Sequence, residues 1–152
     1  MIQIALVEPE IPPNTGNIAR LCAATGSPLH VIGATGFRMD DRSLKRAGLD
    51  YWEHVSLTRH VDFDSFEKAS PNLRMVLLTT KAEHSYLDWD FQTGDCLVFG
   101  RETRGLPDEL LERYRDSCIR IPMPSGNVRS LNLATSVGIV LYEALRQTNS
   151  LS

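Results

Sequence analysis

At 152 residues with a formal charge of −3, the chain has room for one domain of ordinary size and not for two. The mild negative balance argues against a protein that coats nucleic acid indiscriminately, although a local basic patch can still steer binding. No run reaches the roughly 18 apolar residues of a membrane span, and Glu8 interrupts the N-terminal apolar segment before a secretion signal can form.

The composition and pattern predict one domain over residues 1–148, with 149–152 as a frayed end, in a cytoplasmic protein. The first strand is expected at Ile2 to Val7, followed by a turn-rich loop from Glu8 to Gly16 whose prolines cannot sit in a helix interior or a central strand. Asn14 or Thr15 would cap a helix from about Asn17 to Ala24. A short strand follows at Leu29 to Ile32, then a helix capped by Asp40 or Asp41, running through Ala47 and stopped by Gly48. A minor strand at Val55 to Leu57 and a short helix at Asp62 to Ala69 precede the strand Arg74 to Leu78 and a polar loop from Thr79 to Asp88.

Cys96 to Phe99 is the next strand, Pro107 to Arg113 a helix, and Cys118 to Ile121 the last strand. Leu131 to Arg146 has the clearest helical period, with Leu133, Val137, Val140, Leu141 and Leu145 on one stripe. Short apolar strands alternating with helices predict an α/β domain whose mostly parallel sheet is covered on both faces.

Several chemistries are missing from this pattern. There is no phosphate loop ending in Gly-Lys-Ser/Thr, no Gly-x-Gly-x-x-Gly and no Gly-x-Ser-x-Gly. The four histidines are widely spaced without accompanying cysteines or carboxylates, so no metal is expected. Cys22, Cys96 and Cys118 lie in or beside apolar stretches with no paired spacing, which reads as buried thiols in a reducing compartment.

Three polar loops remain. In Glu8 to Arg20 the prolines and Asn14 suit a rigid connection and a capped helix, while Arg20 on the polar side could grip a phosphate or polarise a hydroxyl. In Gly100 to Gly105, Glu102 could accept from a ligand or simply pair with Arg104. In Pro122 to Asn132, Ser130 or Asn132 would cap the last helix, yet the run of Ser, Gly, Asn and Arg exceeds what a cap needs. Loops at the carboxyl ends of parallel strands are where α/β sheets bind ligands. Two of them could clamp a flat heteroaromatic ring, with Leu78, Ile121 and Leu131 covering its faces.

Taken together, Asn14-Thr-Gly-Asn-Ile-Ala-Arg20, Phe99-Gly-Arg-Glu-Thr-Arg-Gly-Leu-Pro107 and Ile121-Pro-Met with Arg129-Ser-Leu-Asn-Leu-Ala-Thr-Ser136 resemble the three motifs of the SPOUT class of RNA ribose 2′-O-methyltransferases. Arg46-Ala-Gly-Leu-Asp-Tyr-Trp52 and the chain length are most similar to the small members that methylate the wobble ribose (cytidine or modified uridine 34) of leucine tRNAs. The resemblance implies a deep C-terminal trefoil knot, which no pattern of residues reveals. It also implies a homodimer, and S-adenosylmethionine as methyl donor with S-adenosylhomocysteine as product.

By position it assigns Leu78, Thr79, Gly100, Glu102, Ile121, Met123, Ser130, Leu131 and Asn132 to the cofactor. Arg20, Asn14, Arg129 and Tyr142 fall to the reacting centre, with Tyr142 on the RNA or dimer side. Arg38, Arg42, Lys45 and Arg46 form the densest basic cluster and are candidate tRNA backbone contacts. Arg101 departs from the family pattern, in which Pro or Ser stands between the Gly and the Glu; an added phosphate contact is one role for it. A 2′-hydroxyl target distinguishes RNA from DNA, so DNA is not an expected partner. The alternatives are a ribosomal-RNA 2′-O-methyltransferase and a non-catalytic RNA-binding or assembly protein on the same scaffold.

Overall fold

Among the described residues, seven strands lie in one sheet: β1 (Gln3–Val7), β2 (Leu29–Ile32), β3 (Leu57–His60), β4 (Met75–Leu78), β5 (His84–Ser85), β6 (Cys96–Phe99) and β7 (Cys118–Arg120). The computed structural model describes residues 1–39 and 49–152, so the helix expected before Gly48 lies outside the described residues. The strand order is β3-β2-β1-β6-β4-β7-β5, and each pairing is parallel. Four α-helices flank it among the described residues: α1 (Pro12–Thr25), α2 (Phe63–Ala69), α3 (Asp108–Arg113) and α4 (Leu133–Gln147).

Alternation along the strands builds two cores, because successive side chains point to opposite faces. Ile4 and Leu6 of β1 and Leu97 and Phe99 of β6 face α1 and α4, joining Ile18, Val137, Val140 and Leu141. Ala5, Val7, Cys96 and Val98 face the other way, onto Phe63 and Phe66 of α2 and Leu110 of α3. The stripe predicted on the last helix is buried in full, each such side chain contributing roughly 1.5–3 kcal/mol. All three cysteines are free and buried, and burial pushes the Cys22 thiol up to about 12.

Several boundaries differ from the pattern-based expectation. Helix α1 starts at Pro12, five residues before Asn17, so Asn14 and Thr15 lie buried in its first turn and Ile11 occupies the cap position with no side-chain bond. Proline is tolerated there because the first helical N–H groups have no intrahelical partner. The minor strand is Leu57–His60, past Val55, and a two-residue edge strand interrupts the expected polar loop. Helix α4 begins at Leu133, two residues beyond Leu131, with Asn132 as its cap accepting from the Thr135 N–H. At its other end the Ser150 N–H reaches the Leu145 carbonyl at 2.8 Å, and Asn149 turns left-handed at φ +56°.

Candidate active site

The chain proceeds outward from β1 to β3 on one side of the sheet, then resumes beyond β6 with β4 and β7 on the other. A crevice forms at the carboxyl ends of strands flanking such a reversal. A cavity of about 540 Å³ lies there, lined by the residues following β4, β6 and β7 together with Ile11 and Asn14 of the α1 entry. Its size falls within the roughly 300–1,000 Å³ of small-molecule sites.

Gly100 sets the middle wall. The segment from Arg101 to Gly105 folds back as a tight antiparallel bridge, with the Gly105 N–H on the Arg101 carbonyl at 2.8 Å. A Cβ at Gly100 would stand 2.1 Å from the Gly105 carbonyl carbon and 2.2 Å from the Leu106 nitrogen. The two arms of this turn therefore approach closer than any side chain permits. The strand order is consistent with a trefoil-knot topology.

Glu102 does not pair with Arg104. Its carboxylate accepts from the Glu10 N–H at 2.8 Å, the Ile11 N–H at 2.9 Å and Asn14 Nδ2 at 3.2 Å. The reverse contact is also present: Glu10 Oε1 accepts from the Thr103 N–H at 3.0 Å and the Thr103 hydroxyl at 2.8 Å. Those bonds, the backbone one first, hold the Glu10 carboxyl below its usual range. Arg101 is accounted for by Glu8, whose carboxylate accepts from its guanidinium at 2.6 Å. Glu8 itself sits at φ +51°, a conformation uncommon outside glycine. An added phosphate contact is thus not where this side chain points.

Every residue assigned by resemblance to the cofactor lines the cavity: Leu78, Thr79, Gly100, Glu102, Ile121, Met123, Ser130, Leu131 and Asn132. Asn14 and Arg129 line it as well, whereas Arg20 and Tyr142 do not. Arg20 is exposed on α1 and Tyr142 is 44% exposed on α4, the helix against which α1 packs. Arg38 is exposed, while Arg42, Lys45 and Arg46 lie outside the described residues. Pattern reading missed Ile11, Phe99, Leu106 and Leu111, which add apolar wall; nothing in their spacing marks them, since each belongs to an ordinary strand, helix or loop run. The described residues contain no cluster of groups able to hold a metal, and no helix among them is long and apolar enough to cross a membrane.

The comparisons agree with this geometry. A tRNA (cytidine(34)-2′-O)-methyltransferase of Escherichia coli K12 is 51% identical over 148 residues, covering 97% of this chain and 94% of that protein. A solved structure concerned with 2′-OH methylation of C/U34 on tRNA superposes with TM-score 0.92 at 49% identity, covering 97% and 95% of the two chains. An AdoMet-bound rRNA methyltransferase from Sinorhizobium meliloti matches with TM-score 0.88 at 28% identity, over 99% of this chain but 57% of the other. The SpoU rRNA Methylase family profile matches residues 1–142, and the chain belongs to that family, of the SPOUT fold.

Proposed function

We infer that this protein transfers a methyl group from S-adenosylmethionine to the ribose 2′-hydroxyl of the wobble nucleotide, cytidine or uridine 34, of tRNA, as a TrmL-type enzyme. The observation that carries the reading is the cavity of about 540 Å³ lined by all three motif loops, in a chain 51% identical to a cytidine-34 enzyme. Leucine tRNAs as substrates, a homodimeric state and a cytoplasmic location belong to the same proposal and rest on the motif resemblance and composition. So do RNA contacts by Arg38, Arg42, Lys45 and Arg46.

The residues present suit the cofactor. Apolar Leu78, Phe99, Ile121 and Leu131 offer faces for a heteroaromatic ring, while the turns at Gly100 and Met123 offer backbone groups at its edges. When bound, S-adenosylmethionine supplies an electrophilic sulfonium methyl group and leaves as the neutral homocysteine thioether. The chain has to align the ribose oxygen and favour loss of its proton. A guanidinium is an acceptor-free donor group and makes a poor general base. Arg20 is therefore an electrostatic stabiliser of the developing alkoxide, with the proton leaving to phosphate or water. Its exposed position on α1, outside the cavity lining, suits a group that meets RNA rather than cofactor.

The ribosomal-RNA reading has less support. The AdoMet-bound rRNA enzyme is matched over only 57% of its length, whereas the cytidine-34 enzyme is matched over 94%. The test is incubation with S-adenosylmethionine and bulk tRNA, followed by mass-spectrometric mapping of the methylated nucleotide. We expect 2′-O-methylation at position 34 of leucine tRNAs; an unmodified position 34 would refute the assignment.

A further inference from the structure

Glu102 commits both of its carboxylate oxygens to the start of α1. The first two helical residues, Pro12 and Pro13, have no N–H, and Ile11 at the cap position has no side-chain oxygen. The donors that remain ahead of the helix are the N–H groups of Glu10 and Ile11, and Glu102 takes one on each oxygen, at 2.8 and 2.9 Å. A carboxylate at this end also lies favourably in the helix dipole. It functions as a cap supplied from 91 residues away in sequence.

The contacts continue in one direction. Asn14 donates Nδ2 to Glu102 at 3.2 Å and accepts on Oδ1 from Asn132 Nδ2 at 3.1 Å. Asn132 in turn accepts on Oδ1 from the Thr135 N–H at 3.1 Å, capping α4. Each amide is thereby held in a single orientation, because a flip of either would place like groups face to face. Asn14 is 8% exposed, so its amide has little access to water as a substitute partner. The loop after β6, the entry of α1 and the entry of α4 are thus joined by three side chains.

We propose that Glu102, Asn14 and Asn132 form a positioning relay that ties the shape of the cofactor loop ending at Asn132 to the placement of α1, the helix bearing Arg20. Glu102 acts through Asn14 rather than as a direct cofactor contact. The proposal rests on the methyltransferase reading for its consequence, ordering of the two halves of the site together, but not for its existence in the free protein.

The test is a double-mutant cycle between Glu102→Gln and Asn132→Ala, read in S-adenosylhomocysteine affinity by calorimetry and in urea unfolding of the ligand-free protein. The cycle is repeated in an Asn14→Ala background. Each single variant should weaken S-adenosylhomocysteine binding. The double variant should depart from the product of the singles by about fivefold, as for residues in one network, and the departure should vanish once Asn14 is replaced. Multiplicative effects in both backgrounds would overturn the relay. So would a departure that survives Asn14→Ala, since it would then travel by a route other than Asn14. Asn14→Leu fills the same space without a polar group and replaces Asn14→Ala if that variant fails to fold. A wild-type protein that binds no S-adenosylhomocysteine would refute the function; the unfolding cycle would still decide the relay.

Discussion

Gly100 and Gly105 stand five residues apart and face opposite constraints. At Gly100 φ is ordinary but space is absent, since a Cβ would meet the Gly105 and Leu106 backbone at 2.1–2.2 Å. At Gly105 a Cβ would meet nothing within 4 Å, but φ is +69°. Gly100→Ala must therefore force the turn open and should cost about 3 kcal/mol or more, while Gly105→Ala should cost about 1–2 kcal/mol from the left-handed conformation. Urea unfolding of the two variants checks this, and equal losses would contradict it. Arg20 illustrates a different separation. It lies outside the cavity lining, so Arg20→Ala should leave S-adenosylhomocysteine affinity near wild type while lowering methyl transfer about 10²–10³-fold. Single-turnover assays at saturating cofactor decide the point; near-normal turnover would remove Arg20 from the mechanism.

At the scale of elements, strands were more legible than helix ends. The apolar runs at Leu29, Cys96 and Leu133 appear where their periodicity places them, because burial alone defines them. The start of α1 does not, because its cap is a carboxylate remote in sequence rather than a local Ser, Asn or Asp. The same remoteness hid the pairing of His30 with His60, which adjacent parallel strands β2 and β3 bring to 3.0 Å. His30 also meets Gln3 Oε1 of β1 at 2.7 Å, and Phe66 of α2 lies against both rings.

Burial, and then the charge of His60, push His30 down to about 4, and burial lowers His60 too. The unfolded chain thus binds more protons than the folded one between about pH 6.5 and 4. Stability is fully present above that window and is lost as pH falls through it. His30→Gln should flatten the decline of melting temperature from pH 7 to 4.5; an unchanged slope would show that the pair does not govern acid sensitivity.

For the whole molecule, exposed Arg20 and Tyr142 on the packed helices α1 and α4 leave that face available for a second copy or for RNA. A homodimer is expected, and sedimentation at micromolar concentration checks it; a monomer mass would refute it. Short apolar strands alternating with helical periods determined the α/β class by themselves, because the central strands of such a sheet are buried on both faces. The three motif loops were equally readable in the sequence, and the residues they contain line one cavity. Only the tertiary structure decided what Glu102 and Arg101 do. Their partners, at the α1 entry and Glu8, lie more than 85 residues away, and residue type cannot choose between a ligand and a distant backbone N–H. The backbone contact at Gly100 depends on how tightly its turn closes: residue type predicts a turn there, but not one in which a Cβ would stand 2.1 Å from the Gly105 carbonyl carbon.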